Sequence, residues 1–310
     1  MRLVFAGTPE PAVVALQKLL DSDHEVVAVL TRPDARRGRG RSLHPSPVKA
    51  LAEEHGIEVL TPDTLRGNEE IRQRLAELAP DAIPVVAYGN LIPEDMLDIA
   101  PHGWVNLHFS LLPKWRGAAP VQAAIRDGDA MTGATTFRID AGLDTGDILA
   151  TVEEPIQPTD TADDLLTRLA HTGSDLLVET MTALENGTAS PVAQPEEGTY
   201  ARKITPENAR VTWSDDAAEI DRHVRAHTPG PGAWTTWQES RVKLGPVTVS
   251  DHAELAPGHV RVEKNAVFVG TGSADVQLGL IQPPGKKMMD AAAWARGLSP
   301  EVTEQGVVFQ

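Results

Sequence analysis

Two polar side chains near the end of an apolar segment, residues 105–109, are the best candidates for chemistry in this chain. Asn106 and His108 are separated by one residue, so in a β-strand both lie on one face while Leu107 points to the other. An amide donates hydrogen bonds at every pH, and an imidazole donates a charge-assisted one when the ring is protonated. Together the two groups could stabilise an oxyanion that develops during a reaction.

A carboxylate that could assist them is Asp144, which lies in a segment with two glycines and three aspartates, residues 140–147. A carboxylate beside an imidazole favours the protonated ring and can help to move protons. No serine pairs obviously with His108, and the chain has no cysteine. These residues therefore favour direct transfer of an acyl group to an incoming nucleophile, without a covalent acyl-enzyme.

Each of these residues also has a purely structural interpretation. A histidine in a strand is more often a hydrogen-bonded core residue than a catalyst, and an asparagine two positions before it is more often part of a local network. Asp140, Asp144 and Asp147 could solvate a loop or surround a cation. Their spacing lacks the closing glutamate of a calcium-binding loop, so we expect no metal site.

The elements that would hold these residues follow an alternating pattern. Residues 2–6 and 25–31 are apolar and β-prone, and between them apolar side chains recur at helical spacing. A strand, a helix and a strand in this order predict a parallel sheet. The first turn, Gly7-Thr8-Pro9, lacks the G-x-G-x-x-G pattern of dinucleotide-binding sites. Pro84 removes a backbone donor from the strand expected at residues 81–88, which predicts an irregular strand or one toward a sheet edge.

The pattern changes after residue 187. Residues 188–206 are rich in Pro, Gly, Glu and Thr and are predicted to be a linker. From residue 207 onward, short β-prone runs alternate with turn residues, which is typical of a small β-barrel. The predicted fold is therefore α/β, with a Rossmann-like, mostly parallel sheet domain over residues 1–187 and a small β-barrel (OB-like) domain over residues 207–310.

The composition limits the possible partners. The chain has 310 residues and a formal net charge of −16. No run approaches the ~18 apolar residues of a membrane helix, and the N-terminus resembles a first strand rather than a signal peptide, so we expect a cytoplasmic protein that binds no membrane. The negative charge argues against a nucleic acid partner.

A strongly basic loop, residues 32–41, interrupts this acidic background and could still bind phosphate. The alternative is a solvated, disordered loop. Gly38 and Gly40 among the arginines favour a loop that becomes ordered on binding.

Several motifs resemble those of a known family, the 10-formyltetrahydrofolate-dependent formyltransferases. The resemblance lies in the run Asn106-Leu107-His108-Phe109-Ser110-Leu111-Leu112-Pro113, in Arg116-Gly117, and in Asp140-x-Gly142-x-Asp144-Thr145-Gly146. Segments 5–9, 86–89, 115–120 and 283–287 narrow it to those members that formylate an aminoacyl-tRNA. It extends over nearly the whole chain, including the second domain.

The resemblance implies that the α-amine of the initiator methionyl-tRNA attacks the formyl carbon of 10-formyltetrahydrofolate. It assigns Asn106 and His108 to the oxyanion, and Asp144 to ordering a water, tuning His108 and assisting proton transfer. The folate co-substrate is expected along two segments that follow strands, with the candidate residues Val86, Ala87, Tyr88, Gly89, Ser110, Leu111, Leu112 and Pro113. Pro84 and Asn90 flank the first of these segments where apolar residues are expected.

The resemblance also assigns the basic loop to the acceptor stem of the tRNA, through Arg36, Arg37, Arg39 and Arg41. Weaker backbone contacts are expected from Arg202, Lys203, Lys286 and Lys287. We expect a monomer. Two alternatives stay open: an enzyme for a small acceptor such as glycinamide ribonucleotide or an amino sugar, and a non-catalytic RNA-binding protein on the same core. The basic loop and the second domain favour tRNA over a small acceptor, and the intact triplet argues against a non-catalytic protein.

Overall fold

The computed structural model describes residues 1–38 and 40–310, so the predicted tRNA-binding residue Arg39 lies outside the described residues. The chain divides into two compact units. The first comprises Met1–Pro120, Met131–Pro155 and Leu166–Ala201, and the second Val121–Ala130, Ile156–Leu165 and Arg202–Gln310. The segment predicted as a linker is thus divided between the units after Ala201.

The first unit is built on a seven-stranded sheet. Up to Ala201 the elements are β1 (Arg2–Gly7), α1 (Glu10–Leu20), β2 (Glu25–Leu30), β3 (Ala35–Arg37), β4 (Ser42–His44), α2 (Pro47–Glu54), β5 (Glu58–Leu60), α3 (Glu69–Leu78), β6 (Ile83–Val86), a 3-10 helix (Glu94–Met96), β7 (Trp104–His108), β8 (Arg116–Gly117), α4 (Pro120–Asp127), β9 (Met131–Arg138), β10 (Ile148–Pro155), α5 (Ala162–Glu185) and β11 (Tyr200–Ala201). Of these elements, α4 after Pro120 and the first four residues of α5 belong to the second unit. The order in the sheet is β10-β9-β7-β6-β1-β2-β5.

Five neighbouring strands of this sheet, from β7 to β5, are parallel. β9 and β10 add to one edge as antiparallel strands. The predicted α/β fold with a mostly parallel sheet is therefore confirmed. The chain proceeds from β1 outward to β2 and β5, and then returns to the other side of β1 with β6 and β7. This reversal places a topological switch point between β1 and β6, where open α/β sheets bind ligands at the carboxyl ends of the strands.

Burial explains why these segments form the predicted elements. Residues Leu3 to Ala6 of β1 are all buried, as expected for a strand covered on both faces. In α1 the buried residues are Ala12, Ala15, Leu16 and Leu19, which recur at the spacing of one helical face. Ser46 accepts a hydrogen bond from the amide of Lys49, so α2 begins with the expected cap and proline.

Pro84 lies in the interior of the sheet, and the prediction of a strand toward an edge is wrong. β6 pairs with β7 on one side, with Pro84 opposite Val105, and with β1 on the other. The amide of Ile83 donates to Gly103 O on the β7 side. Because amides alternate in direction along a strand, the missing donor of Pro84 faces β1. There the pairing is reduced to two register pairs and an isolated bridge, so the predicted irregularity is present.

The second unit contains antiparallel strands in two sheets. Its further elements are a 3-10 helix (Pro206–Ala209), α6 (Ala217–Ala226), β12 (Trp234–Trp237), β13 (Ser240–Leu244), β14 (Val247–Val249), β15 (His259–Val262), β16 (Val267–Val269), β17 (Val276–Leu278), β18 (Leu280–Gln282), β19 (Met289–Asp290), α7 (Ala291–Arg296), α8 (Pro300–Gln305) and β20 (Val307–Val308). The sheet orders are β12-β13-β18-β19 and β14-β17-β16-β15-β20. These short strands confirm the predicted β-rich second domain.

Gly245 and Gly279 lie at two of the three places where the chain passes from one sheet of the second unit to the other, and α7 and α8 lie at the third. The run predicted as a single strand over residues 276–282 is therefore split into β17 and β18. Valine, leucine and tryptophan side chains fill the core of this unit, with Trp213 and Trp294 among them. None of the helices formed by residues 1–38 and 40–310 combines the length and the apolar character needed to cross a bilayer.

Candidate active site

β7 places Asn106 and His108 on one face of the sheet, as the alternation predicted. Leu107, which is 2% exposed, points to the opposite face. A Cβ added to Gly173 of α5 would lie 3.1 Å from Leu107, so this glycine lets the helix pack closely on the strand. β7 is therefore fixed from behind, while the face with Asn106 and His108 is left for chemistry. The side-chain amide of Asn106 forms no hydrogen bond with any residue in 1–38 or 40–310.

His108 is 6% exposed, and each of its ring nitrogens faces a defined group. Nε2 lies 2.8 Å from the backbone oxygen of Trp115. A carbonyl oxygen only accepts, so in the neutral ring Nε2 carries the proton and Nδ1 carries the lone pair. Nδ1 lies 3.7 Å from Oδ2 of Asp144. Burial lowers the pKa of His108, and the nearby Asp144 carboxylate and the Trp115 hydrogen bond oppose this effect.

Asp144 reaches His108 from the loop between β9 and β10. Its Oδ2 accepts a hydrogen bond of 2.7 Å from the amide of Gly117, and its backbone has a φ of +55°, a left-handed conformation that is uncommon for a non-glycine residue. Asp140 shapes the loop, because its Oδ1 accepts hydrogen bonds from the Gly142 amide and the Thr145 hydroxyl. The loop thus brings Asp144 together with Asn106 and His108 at the end of β7.

The segment Ser110 to Pro113 follows directly. The buried Ser110 hydroxyl donates to the backbone oxygen of Lys114. Thr135 Oγ1 donates to Ser110 O at 2.7 Å and accepts from the Leu112 amide at 3.2 Å. The polar groups of Ser110 and the Leu112 amide are therefore used to fix the turn, while Leu111 and Pro113 remain half-buried.

The other predicted folate segment, Val86 to Gly89, lies at the switch point, where β6 ends beside β1. Ala87 and Gly89 are exposed and have φ angles of +48° and +88°. Tyr88 is 2% exposed and packs in the core, so this residue can offer a ligand only its backbone. Thr8 Oγ1, from the turn after β1, donates to Tyr88 O at 2.8 Å.

Asn90 has a structural role that sequence reasoning missed. Its Nδ2 donates to the Tyr88 hydroxyl at 3.2 Å, and its Oδ1 accepts from Arg32 Nη1. Arg32 also donates to the backbone oxygen of Asp63. The side-chain amide of Asn90 therefore connects the segment after β6 to the end of β2. The arginine at position 32 is the sequence signal that could have indicated this hydrogen bond.

The basic loop forms a short antiparallel hairpin. β3 pairs with β4 so that Arg36 lies opposite Leu43 and Arg37 opposite Ser42. Arg36 Nη1 donates to the backbone oxygen of Arg41 at 3.1 Å. The expectation that this loop becomes ordered on binding stays a prediction. Arg36, Arg37 and Arg41 are exposed, and no described carboxylate forms an ion pair with them.

The basic residues predicted in the second domain are also exposed. Arg202 and Lys203 lie at the start of the last and longest segment of the second unit, and Lys286 and Lys287 lie in the turn between β18 and β19. The amide of Lys286 donates to Pro283 O, which closes this turn. No group of three or more His, Cys, Asp or Glu within residues 1–38 and 40–310 is arranged to hold a metal ion.

Residues 192–201, predicted as linker, contribute unexpectedly to this region. Gln194 Nε2 donates to the backbone oxygens of Asp144 and Gly146, at 3.0 and 2.7 Å. Gln194 Oε1 accepts from Nε and Nη2 of Arg116, which is 1% exposed. Because these contacts join positions about 50 to 80 apart and two of the four accept at backbone oxygens, no local sequence pattern indicates them.

Known proteins resemble this chain over nearly its whole length. Residues 1–181 match the family described as "Formyl transferase", and residues 203–299 match "Formyl transferase, C-terminal domain". A methionyl-tRNA formyltransferase from Corynebacterium glutamicum (strain R) is 70% identical over 306 residues, which are 96% of this chain and 97% of that protein. A methionyl-tRNA formyltransferase from Corynebacterium aurimucosum is 68% identical over 320 residues, which are 98% and 96% of the two chains.

Among solved structures, the sugar 3N-formyl transferase WlaRD, determined in the presence of dTDP and 5-N-formyl-THF, has a TM-score of 0.68 with 20% identity. The similarity covers 93% of this chain and 99% of WlaRD, and it shows a shared fold. Two consecutive family matches and relatives of about 70% identity over nearly the whole length agree with each other. The chain therefore belongs to the formyl transferase family and is an enzyme of that family.

Proposed function

We propose that this enzyme transfers a formyl group from 10-formyltetrahydrofolate to the α-amine of initiator methionyl-tRNA, for translation initiation in the cytoplasm, and that it acts as a monomer. The observation that carries the proposal is the cluster at the end of β7. There the buried His108 has its Nε2 proton held by Trp115 and its Nδ1 lone pair directed toward Asp144, beside the unpaired amide of Asn106. The names of the relatives with 68–70% identity support the same acceptor.

The residues around the switch point are suited to a folate. The exposed backbone of Ala87 and Gly89 offers hydrogen-bonding groups to a planar, polar ring. The half-buried side chains of Leu111 and Pro113, which follow His108 closely in the sequence, offer apolar surface to the same ring. We therefore assign the pterin to residues 86–89 and 110–113, and its formyl group to the face of β7 that carries Asn106 and His108. The bound co-substrate supplies the electrophilic formyl carbon.

Each active-site residue then has a defined task. The Asn106 amide donates a hydrogen bond to the oxygen that becomes negative when the neutral amine attacks the formyl carbon. Neutral His108 cannot donate from Nδ1, because its proton is on Nε2. Its Nδ1 can instead accept the proton that the attacking amine loses, directly or through a water that Asp144 orders.

Protonation changes what His108 can do. The imidazolium is stabilised by the Asp144 carboxylate at 3.7 Å. Its new Nδ1 proton can strengthen the binding of the oxyanion as a charge-assisted donor. The same proton is then available for N10 of the folate when the bond between N10 and the formyl carbon breaks. One proton leaves the amine and one reaches N10, so His108 and Asp144 return to their starting states.

An assay with three different amines tests the acceptor. The purified enzyme is incubated with 10-formyltetrahydrofolate and either charged initiator tRNA, an amino-sugar nucleotide or glycinamide ribonucleotide, and formylated products are measured by mass spectrometry. We expect formylation of the charged tRNA alone. Transfer only to one of the small amines would assign a different acceptor, and no transfer to any of them would contradict the proposed reaction.

A further inference from the structure

Residues 192–201 follow α5 in the sequence and pair with both loops of the proposed active site. Val192 exchanges two backbone hydrogen bonds of 2.8 Å with Ile148, just beyond the Asp144 loop. Tyr200 and Ala201 form β11, which pairs in parallel with Arg116 and Gly117 in β8. One segment therefore connects the loop that carries Asp144 with the loop that follows His108.

Within this segment, the side chain of Gln194 also connects the same two loops. Its Nε2 donates to the backbone oxygens of Asp144 (3.0 Å) and Gly146 (2.7 Å). Its Oε1 accepts from Nε (3.3 Å) and Nη2 (3.1 Å) of Arg116. Arg116 follows Trp115, whose backbone oxygen holds the ring of His108. A single amide side chain therefore links the backbone beside His108 to the backbone of Asp144.

Arg116 is a rigid anchor for this link. Its guanidinium also donates to the backbone oxygens of Pro195 and Glu196, at 2.8 and 3.2 Å. A Cβ added to Gly198 would lie 2.7 Å from Arg116 Nη1, so the segment passes directly over the guanidinium. A guanidinium with this many fixed hydrogen bonds loses little freedom when it holds one more partner.

Asp144 depends on such support. Its φ of +55° is unfavourable for a residue with a side chain, and such conformations persist only when their surroundings hold them. The carboxylate is held by the Gly117 amide, and Gly117 is paired with Ala201. Both anchors of Asp144, the backbone one and the side-chain one, therefore lead to residues 192–201.

We propose that Gln194 is a positioning residue that holds Asp144 at its working distance from His108. This inference rests on the proposed function, in which Asp144 assists proton transfer through His108. In this proposal Gln194 acts through Asp144 and not through contact with a substrate. Its effect is expected on the rate of the chemical step and on the proton affinity of His108, and not on the binding of either substrate.

Two variants separate the two ends of the Gln194 side chain. Gln194→Glu keeps an acceptor for Arg116 but cannot donate to the oxygens of Asp144 and Gly146. Gln194→Met keeps the length of the side chain and removes both interactions. We expect kcat to fall roughly 10- to 100-fold in both variants, because a displaced catalytic group reduces the rate steeply. The KM values for tRNA and folate should stay at the wild-type level.

A second measurement distinguishes positioning from general stability. In Gln194→Met the Asp144 carboxylate is expected to move away from His108, so the pKa of His108, measured by NMR titration of the ring, should fall below the wild-type value. A role in stability alone would lower the Tm and leave kcat of the folded enzyme and the titration unchanged. Gln73→Glu, which adds the same charge at an exposed position of α3, is the matched control.

The outcomes keep the inference and the proposed function apart. Wild-type kcat in Gln194→Glu, together with an unchanged His108 titration in Gln194→Met, would overturn the inference. Failure of the wild-type enzyme to formylate charged initiator tRNA would overturn the proposed function. The titration needs no turnover, so it still decides whether Gln194 positions Asp144 in that case.

Discussion

At the end of β7, His108 is buried, Asp144 is half-buried, and each is held by a defined partner, whereas the described arginines of the β3–β4 hairpin are exposed and form no ion pair. His108 is fixed by Trp115 O, and Asp144 by the Gly117 amide. Arg36 and Arg37, by contrast, lie on a two-stranded hairpin and face solvent. The first region has a fixed geometry, and the second presents positive charge on exposed side chains.

This difference follows from what each region is proposed to do. Proton transfer requires donor and acceptor atoms within hydrogen-bonding reach, so the groups at the end of β7 must be held before the substrates arrive. Attraction of a phosphate backbone acts at longer range and tolerates many geometries. We therefore expect single substitutions to be severe in the first region, and in the second region to add up from small individual effects.

His108→Ala should have the largest effect. The variant removes the group that accepts the proton, so we expect kcat to fall about 1000-fold, while far-UV circular dichroism reports an unchanged fold. His55→Ala, at an exposed position after α2, is the control and should keep wild-type turnover. Near-normal turnover in His108→Ala would show that the end of β7 is not the catalytic centre, and the comparison of the two regions would lose its basis.

Asp144→Asn tests how the fixed region tunes its histidine. The amide oxygen can still accept from Gly117, but the negative charge that favours the imidazolium is lost. The pKa of His108, which burial already lowers, should therefore fall further, and kcat should fall about 100-fold. NMR titration follows the ring signal that disappears in His108→Ala.

Asp147→Asn is the matched control for this experiment, since it removes the same charge from an exposed position in the same loop. It should leave the titration of His108 unchanged. An unchanged or raised His108 pKa in Asp144→Asn would mean that the carboxylate at 3.7 Å does not stabilise the protonated ring.

The hairpin is tested by replacing its described arginines together. In Arg36→Gln/Arg37→Gln/Arg41→Gln we expect the KM for tRNA to rise about tenfold, and the slope of log K against log salt to decrease by about 1 for each lost phosphate contact. The KM for folate should not change. Arg66→Gln, at an exposed position elsewhere in the first unit, serves as the control. Equal loss of tRNA and folate binding would indicate that the hairpin supports the fold rather than the tRNA.

The sequence predicts those parts of the molecule that depend on local periodicity. Alternation along residues 104–108 placed Asn106 and His108 on one face, and helical spacing located α1 and α5. The catalytic role of these residues stays a prediction, although the structure brings Asn106, His108 and Asp144 together. Short-range patterns thus indicate the elements and part of the candidate site.

Contacts between distant segments could not be predicted in the same way. Residues 192–201 have the composition of a linker, yet backbone pairing with Ile148 and Gly117 makes them part of the first unit. Main-chain hydrogen bonds of this kind impose little demand on side-chain type, so composition carries no sign of them. Pro84 is the converse case. A proline usually marks an edge strand, but here it is tolerated inside the sheet because its missing donor faces β1, with which β6 forms only two register pairs.

The smallest expected effect concerns Asn90, which is half-buried and fixed like the groups at the end of β7, but which we expect to affect the folate only indirectly, through Tyr88. In Asn90→Leu the Tyr88 hydroxyl and Arg32 lose a hydrogen-bonding partner. Because one hydrogen bond contributes about 1 kcal/mol, we expect folate affinity, measured by calorimetry, to weaken about fivefold.

Asn186→Leu, at an exposed position after α5, is the control and should leave folate affinity unchanged. Since Asn90 reaches neither His108 nor the hairpin, kcat at saturating folate and the KM for tRNA should keep their wild-type values. A fall in kcat comparable to that of Asp144→Asn would place Asn90 with the groups that control proton transfer, and unchanged folate affinity would mean that the turn after β6 holds its shape through Thr8 alone.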